Sequence, residues 1–388
     1  MKDVVVLGGG FAGVEAAIAL QKSGVCSVTL VSDREYLFVY PISIWIPTHG
    51  IDFNQVQVSL YDIQKKHGFN LIIDTVQKIE SNNSTVYCSK QILTYDFVII
   101  ALGANKMKHS GIEHTYSICG KPEVSLELRN ALDTLVKQNK GKIAIGFGGN
   151  PKDTSAVRGG PAFEFAFNVH QYLKSKRIRN NFEIHMFAPM AEPGARMGKK
   201  AMSMVNTMLS NVGILKHFGK KIIQFEPSNI VFEDNSKLNA DLIMFIPASA
   251  GHEVLQQSDL PLNEAGFAII DDTCKVKSTS NVYAIGDSAA IQGYDWIAKQ
   301  GHLAELMGKH AAFNIIQTIK GTNKRKGYHS HLNILCVMDI GNGAAFIFRN
   351  HKRAFVIPMP IVGHWLKQLW GVYTKKTKLG TLPRIPGM

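Results

Sequence analysis

A continuous apolar run, Val4 to Leu7, gives way to a cluster of glycines, then to apolar residues at helical spacing, then to a second apolar run ending at Val31. An unalternating strand is what a parallel sheet covered on both faces requires, and the three- and four-residue spacing between the runs is that of a helix. The opening segment therefore predicts strand, glycine turn, helix and strand, with Gly24 as the helix stop. Beyond it, LIIDTVQKIE and STVYCSK alternate loosely, as antiparallel strands do, and TYDFVIIALGA closes a first unit near Ala104 on another buried run.

The same order recurs further along. Helical spacing over Val124 to Lys137 precedes a short apolar strand, Lys142 to Gly146, which again ends in glycines. A helix from Pro161 to Lys174, the strand FEIHMFA and a helix over Lys199 to Asn211 follow. Pairing Gly8, Gly9 and Gly10 with Gly146, Gly148 and Gly149 suggests a degenerate internal duplication. KSKRIRNN, residues 174 to 181, reads as a solvated loop. After Ala248 come NVYAIGDSAA, a helix from about Ala298 to Ile319, the basic linker KGTNKRKG, and a C-terminal section from ILCVMDIGNGAAFIF to IVGHWLKQLWGVYTKK.

Composition narrows the class. With 388 residues, 45% of them apolar and 19% charged, the chain is neither disordered nor a polytopic membrane protein. No apolar run approaches the roughly 18 residues that a bilayer span requires. The run Val4 to Leu7 leads straight into fold glycines rather than a cleavage site, so a cytoplasmic chain beginning at Met1 is expected. Five widely spaced cysteines without a CxxC pair argue against a zinc site and a disulfide framework, and no metal is expected. Of the +13 net charge, eight Lys or Arg and no acid lie between Arg349 and the end, which points to an anionic partner. Without zinc-finger spacing, an RNP-like strand or a helix-turn-helix cue, that partner is not nucleic acid.

Gly8, Gly10 and Gly13 form GxGxxG between a strand and a helix, and Asp33 lies 20 residues beyond Gly13 at the end of the next strand. Gly8 permits the turn, Gly10 the approach of a pyrophosphate, and Gly13 close helix packing, while the helix N-terminus stabilises phosphate charge. Asp33, or Ser32 beside it, is expected to accept a hydrogen bond from an adenosine ribose.

TYDFVIIALGA and NVYAIGDSAA resemble the two further signatures of the two-dinucleotide-domain flavoproteins, which include the pyridine nucleotide disulfide oxidoreductases. The resemblance implies an α/β fold with two Rossmann-like, glutathione-reductase-like domains, and FAD as cofactor. It places Ala101 and Gly103 near the adenosine end, with Gly286 beside Asp287 and Asp287 on a ribityl hydroxyl. Phe11 and Ala12 in the glycine turn and Val76 in the following strand pair join the expected FAD contacts. The helix starting near Ala298 would direct its N-terminus at the flavin pyrimidine, with Lys299 adding positive charge or lying on the surface. The implied organisation is a first part of the FAD domain over 1–105, a degenerate NAD-like Rossmann domain over 106–255, an FAD-domain return over 256–325, and a C-terminal quinone and membrane segment over 326–388.

Within these flavoproteins, YLFVYPISIWIPTHG, HTYSICGKPE, RGGPAFEFAF and AKQGHLAELMGKHAAFNI look like segments of the sulfide:quinone oxidoreductases and flavocytochrome c sulfide dehydrogenases, with Pro41 in the loop approaching the flavin. That branch implies two redox cysteines. Cys336 matches one; Arg158 stands where the other is expected, and a guanidinium cannot replace a thiol. Cys119 matches a third family cysteine and could pair with Cys336 only within disulfide reach. The expected activity passes electrons from a reduced donor, sulfide or a related sulfur species, to membrane quinone. NADH is the alternative donor, disfavoured because Gly146, Gly148 and Pro151 give GxGxxP. A non-catalytic FAD-binding interaction or sensor protein is the third reading.

In the last helix, Ile361, Val362, Trp365, Leu366, Leu369, Trp370 and Tyr373 form an apolar stripe opposite His364, Lys367, Gln368, Lys375 and Lys376. The choice is between a core-packed helix and one lying in an anionic membrane interface, and the acid-free flank favours the membrane. Phe346 and Phe348 are candidates to line a quinone channel, with alternation in a core strand as the other explanation. A peripheral protein on the cytoplasmic side of the cell membrane follows, with a homo-oligomer left open.

Overall fold

The computed structural model describes residues 1–383, so Arg384 of the basic tail lies outside the described residues. In β1 (Lys2–Leu7) the side chains from Val4 onward are at most 4% exposed, as the unbroken apolar run requires. The glycines lead into α1 (Phe11–Ser23), which Gly24 ends at φ 68°. β2 (Cys26–Ser32), β3 (Asn70–Ile73) and β4 (Phe97–Ile100) complete the first unit. The second comprises β5 (Gly141–Phe147), α2 (Gly160–Ser175), β6 (Phe182–Ala188), α3 (Lys199–Asn211), β7 (Ile214–Phe218) and β8 (Leu242–Ile246). The chain then returns through β9 (Val282–Ala284) and α4 (Gly301–Ile319) to β10 (Ile334–Asp339), β11 (Gly343–Arg349), β12 (Ala354–Pro360) and α5 (Val362–Lys378).

One parallel sheet runs in the order β9-β4-β1-β2-β3 and the other in the order β8-β5-β6-β7. The second repeats β4-β1-β2-β3 strand for strand, so the glycine pairing has a counterpart in topology. α4 begins three residues later than its spacing suggested, because Gln300 is extended at φ −134°, ψ 152°. Arg179 is no solvated loop residue: its guanidinium donates to Phe182 O at 2.7 Å and Val212 O at 3.0 Å, bracing the ends of α2 and α3.

The C-terminal section is an antiparallel sheet, β10-β11-β12. Register puts Cys336, Ile347 and Val356 in one row, and Val337, Phe346 and Ile357 in the next, which points to the opposite face. The first face meets the core, where Met338 and Ile347 are fully buried; the second leaves Phe355 and Ile357 exposed.

α5 crosses this sheet with its usual polarity inverted. Gly363, Lys367, Gly371, Thr374 and Lys378, at four-, four-, three- and four-residue spacing, are buried. Ile361, Val362, Trp365, Leu366, Leu369 and Val372 face outward, with Trp365 61% and Leu369 64% exposed. Small residues permit the approach: a Cβ on Gly363 would lie 2.5 Å from Ala344 Cβ. The buried lysines meet acids. Lys367 pairs with Glu164 of α2, and Lys378 pairs with Glu15 of α1 and, at 2.7 Å, with Glu305 of α4. Lys367 therefore does not belong to an outward basic face, and Trp370 and Tyr373 are half-buried rather than part of the exposed stripe. Among the described residues no helix is long and apolar enough to cross a membrane.

Candidate functional site

Steric crowding fixes the glycine loop. A Cβ on Gly8, at φ +115°, would lie 2.3 Å from Ala101 O, and one on Gly13 would lie 1.9 Å from Gly8 O. Gly10 differs: the space its Cβ would take is open, and no side chain caps α1, whose first turn carries Phe11 and Ala12. Open backbone at an uncapped helix N-terminus is what a diphosphate needs. Ser32 and Asp33 close this end. The Ser32 hydroxyl donates to Arg34 O at 2.7 Å, holding the turn beneath Gly9, whereas the exposed Asp33 carboxylate accepts from Arg34 Nε at 3.0 Å. Asp33 is thus the freer of the two acceptors.

From Gly10 the path runs to Asp287 through small residues. Cβ on Gly286 would lie 3.2 Å from Ala12 and 3.3 Å from Ala304, so the first turns of α1 and α4 meet across this glycine. Ser288 donates to Gly103 O at 2.9 Å, tying the end of β4 to the Asp287 turn, and Gly103, at φ +79°, also faces open space. Ala101, at the end of β4, lies against the glycine loop. Val76 stands apart as a core side chain, 6% exposed and paired with Cys88.

Asp287 is not free. Arg158, in the cysteine-matched position, sets its guanidinium against the Asp287 carboxylate, and its buried Nε has no partner among the described residues. Lys299 is a buried residue rather than a surface one: its ammonium donates to the carbonyls of Asp287, at 3.2 Å, and Ala289, over the Phe267 ring. Burial pushes Lys299 down to about 7, with Arg158 adding to the shift and Asp153 opposing it. Burial likewise brings Lys106 down to about 8, helped by Arg158 and opposed by Cys119.

Cys119 and Cys336 are free thiols with different surroundings. Cys119 lies in the segment that Tyr40, next to Pro41, holds by donating to Gly120 O at 2.7 Å. Cys336 faces Glu164 and Lys367; burial and Glu164 push it up to about 12, against the pull of Lys367. Phe346 and Phe348 point to the other face of the sheet from Cys336, where Phe348 packs 5.2 Å from Phe355. They line the outward apolar surface, not the thiol side.

Sequence reasoning missed the cluster where α5 meets residues 40–50. Trp45 is 3% exposed there, its ring 5.1 Å from His364 and below Lys367. His364 Nδ1 lies 2.6 Å from Asp339 Oδ2, and Glu164 accepts from the Asp339 backbone N–H at 2.8 Å. The available signal was the small-residue spacing of Gly363, Gly371 and Thr374, which marks an inward face.

The open backbone at Gly10 and Gly103, the uncapped α1 and the carboxylate at Asp287 together fit an extended dinucleotide. Comparison with known proteins agrees. A sulfide-quinone reductase of Aquifex aeolicus is 28% identical over 374 residues, covering 89% of this chain and 83% of that protein. A type II NADH:quinone oxidoreductase of Staphylococcus epidermidis is 21% identical, covering 89% and 90%. The crystal structure of the Aquifex aeolicus sulfide:quinone oxidoreductase superposes with a TM-score of 0.88 at 23% identity, over 99% of this chain and 93% of that one. The family model "Pyridine nucleotide-disulphide oxidoreductase" matches residues 2–311, and the chain belongs to that family.

Proposed function

We propose that the chain binds FAD along the path from Gly10 to Asp287 and passes electrons from a reduced donor to membrane quinone, working as a peripheral protein on the cytoplasmic face. Bound FAD takes up two electrons and releases them again. The chain's own residues clasp and orient it: Gly8, Gly10 and Gly13 with α1 at the diphosphate, Asp33 at the ribose, Asp287 at the ribityl chain, and the α4 N-terminus with Lys299 toward the ring. The relatives support quinone as acceptor, since both kinds named above are quinone reductases.

The observation that carries the membrane half is the inverted α5. A soluble helix hides its apolar stripe, yet here six apolar side chains are exposed while two lysines are buried in ion pairs. Phe355 and Ile357 of β12 extend the same surface. An interfacial helix buries such a face among acyl chains, and neighbouring Lys375 and Lys376 add about 1 kcal/mol each at an anionic surface.

The donor is a sulfur species. The insertion after Gly149 favours this over NADH: Asn150 is tied to Ser249 O at 2.8 Å and Pro151 removes an N–H from the loop. One experiment tests the whole reading. FAD-loaded protein is mixed anaerobically with sulfide, then separately with NADH, and a soluble quinone is added afterwards. Bleaching by sulfide and recovery with quinone are expected. Bleaching by NADH alone transfers the chain to the NADH reading, and bleaching by neither points to a non-catalytic flavoprotein.

A further inference from the structure

Resting on the sulfur-donor reading, we propose that Lys106, Ser249 and Arg158 form a binding site for a small tetrahedral oxyanion, and that its occupant is the sulfonyl group of a sulfur oxyanion such as thiosulfate. The site lies where one strand of each parallel sheet ends. Asn105–Lys106 follows β4 and Ser249–Ala250 follows β8; the two segments pair antiparallel, with Lys106 opposite Ser249. Residues directly opposite each other send their side chains to the same face, about 5 Å apart at Cβ. The Lys106 ammonium and the Ser249 hydroxyl are therefore neighbours. Met107 N–H donates to Ala248 O at 2.9 Å, and Asn150 Nδ2 donates to Ser249 O at 2.8 Å, so the backbone around them is fixed. The carboxyl ends of parallel strands are where α/β folds place their ligands.

Ser249 supplies the first observation. It is 1% exposed, and its Oγ has no hydrogen-bond partner among the described residues, although a buried hydroxyl normally finds one. Arg158 supplies the second, from a different segment. Its Nη2 is on Asp287, while its Nε is buried without a partner among the described residues. A guanidinium carries donors on more than one edge, so Arg158 can hold Asp287 with one and an oxyanion with another. Charge is the third observation. No acid faces Lys106 among the described residues: burial and Arg158 lower it, and only the Cys119 thiol raises it. Arg158 acts in the same way on Lys299, so three cations gather here against the carboxylates of Asp287 and Asp153. A bound anion balances that excess.

The donors define the class of ligand. An ammonium, a hydroxyl and a guanidinium Nε–H, coming from three segments, suit three oxygens about one central atom better than the two coplanar oxygens of a carboxylate. Thiosulfate carries such oxygens on its oxidised sulfur and leaves its outer sulfur uncovered. Cys119 is the free thiol within electrostatic reach of the same lysine. Hydrosulfide has no oxygens and makes none of these contacts. Inorganic phosphate presents the same tetrahedral face, but its fourth oxygen needs a further hydrogen-bond partner where the outer sulfur of thiosulfate needs none.

Calorimetry on the oxidised, FAD-loaded protein tests the site without turnover. Thiosulfate and inorganic phosphate are titrated separately at constant ionic strength, and thiosulfate is expected to bind about tenfold more tightly. Lys106→Met is expected to weaken thiosulfate about tenfold, the loss of a hydrogen bond from a charged group, and Ser249→Ala about fivefold. Lys108→Met removes the same charge from an exposed side chain two residues away and is expected to leave binding unchanged. Lys106→Met strands no carboxylate, so it should keep the FAD content and melting temperature of wild type; if it does not, Ser249→Ala carries the test. Equal losses in Lys106→Met and Lys108→Met would show diffuse surface charge and overturn the site, as would thiosulfate binding that disappears when FAD is loaded. Phosphate bound as tightly as thiosulfate would overturn the sulfur assignment. Absent thiosulfate binding in protein whose flavin is bleached by sulfide would overturn the site and leave the sulfur-donor reading standing. Thiosulfate binding in protein that sulfide does not bleach would overturn that reading and leave the oxyanion site.

Discussion

Arg158 sets its guanidinium on the carboxylate of Asp287, joining the position where a redox thiol is expected to the residue assigned to the ribityl chain. The pair places a fixed positive charge where a sulfur nucleophile would otherwise stand, and a guanidinium stays protonated at any working pH. Arg158→Cys restores the thiol and removes the charge. We expect the variant to be bleached by sulfide at least tenfold faster than wild type at equal FAD content, followed anaerobically by the loss of flavin absorbance. Equal rates would show that position 158 takes no part in donor chemistry.

Lys378 lies buried between Glu15 and Glu305, so its removal takes away the buried cation that the two carboxylates share and leaves Glu15 with Lys309 at 3.6 Å. Breaking such a pair costs about 3–5 kcal/mol, whereas replacing all charged members together is far milder. Lys378→Met should lower the melting temperature clearly, and Lys378→Met combined with Glu15→Gln and Glu305→Gln should recover most of the loss. Deleting residues 361–388 would strip both buried lysines at once, so a truncated chain that fails to fold says nothing about lipid.

The outward residues of α5 permit a cleaner membrane test. Trp365→Ser with Leu369→Ser alters only exposed side chains, and each apolar side chain withdrawn from lipid costs about 1.5–3 kcal/mol. Cosedimentation with vesicles containing anionic lipid should fall by at least tenfold while the melting temperature holds. Undiminished binding would remove α5 as the anchor.

Lys299 makes stability depend on pH. Held at about 7 by burial, it is disfavoured as a cation in the folded chain, so the penalty is complete below about pH 7. The penalty disappears toward the unfolded value of roughly 10.4, and stability contributed through this group rises with pH between the two. Lys299→Met should therefore gain most over wild type near pH 7 and progressively less by pH 9, in denaturant melts of FAD-loaded protein. A gap independent of pH would contradict the buried ammonium.

Much of the scaffold could be read from the chain because its signals are local. The Val4 to Leu7 run, the GxGxxG loop and NVYAIGDSAA each specify backbone shape within a few residues, and the helices over Val124 to Lys137 and Lys199 to Asn211 begin and end as their spacing implied. What was illegible depends on partners distant in sequence. Nothing near Lys367 announces Glu164, about 200 positions earlier, and nothing near Lys378 announces Glu15. A lysine on an amphipathic helix reads as solvated unless its acid is known to face it. Lys299 misled in the same way, since its acceptors are backbone carbonyls, which carry no sequence signature. Trp45 gave no local cue, because an unpaired indole N–H is a property of what surrounds it.

The lysine shared by α1 and α4 has a mechanical consequence. Because α5 is bolted to the two helices that converge on the Asp287 turn, a bilayer gripping α5 as proposed would hold those helices directly rather than through a flexible tether. The distance from the Asp287 turn to that surface would then be set by side-chain packing.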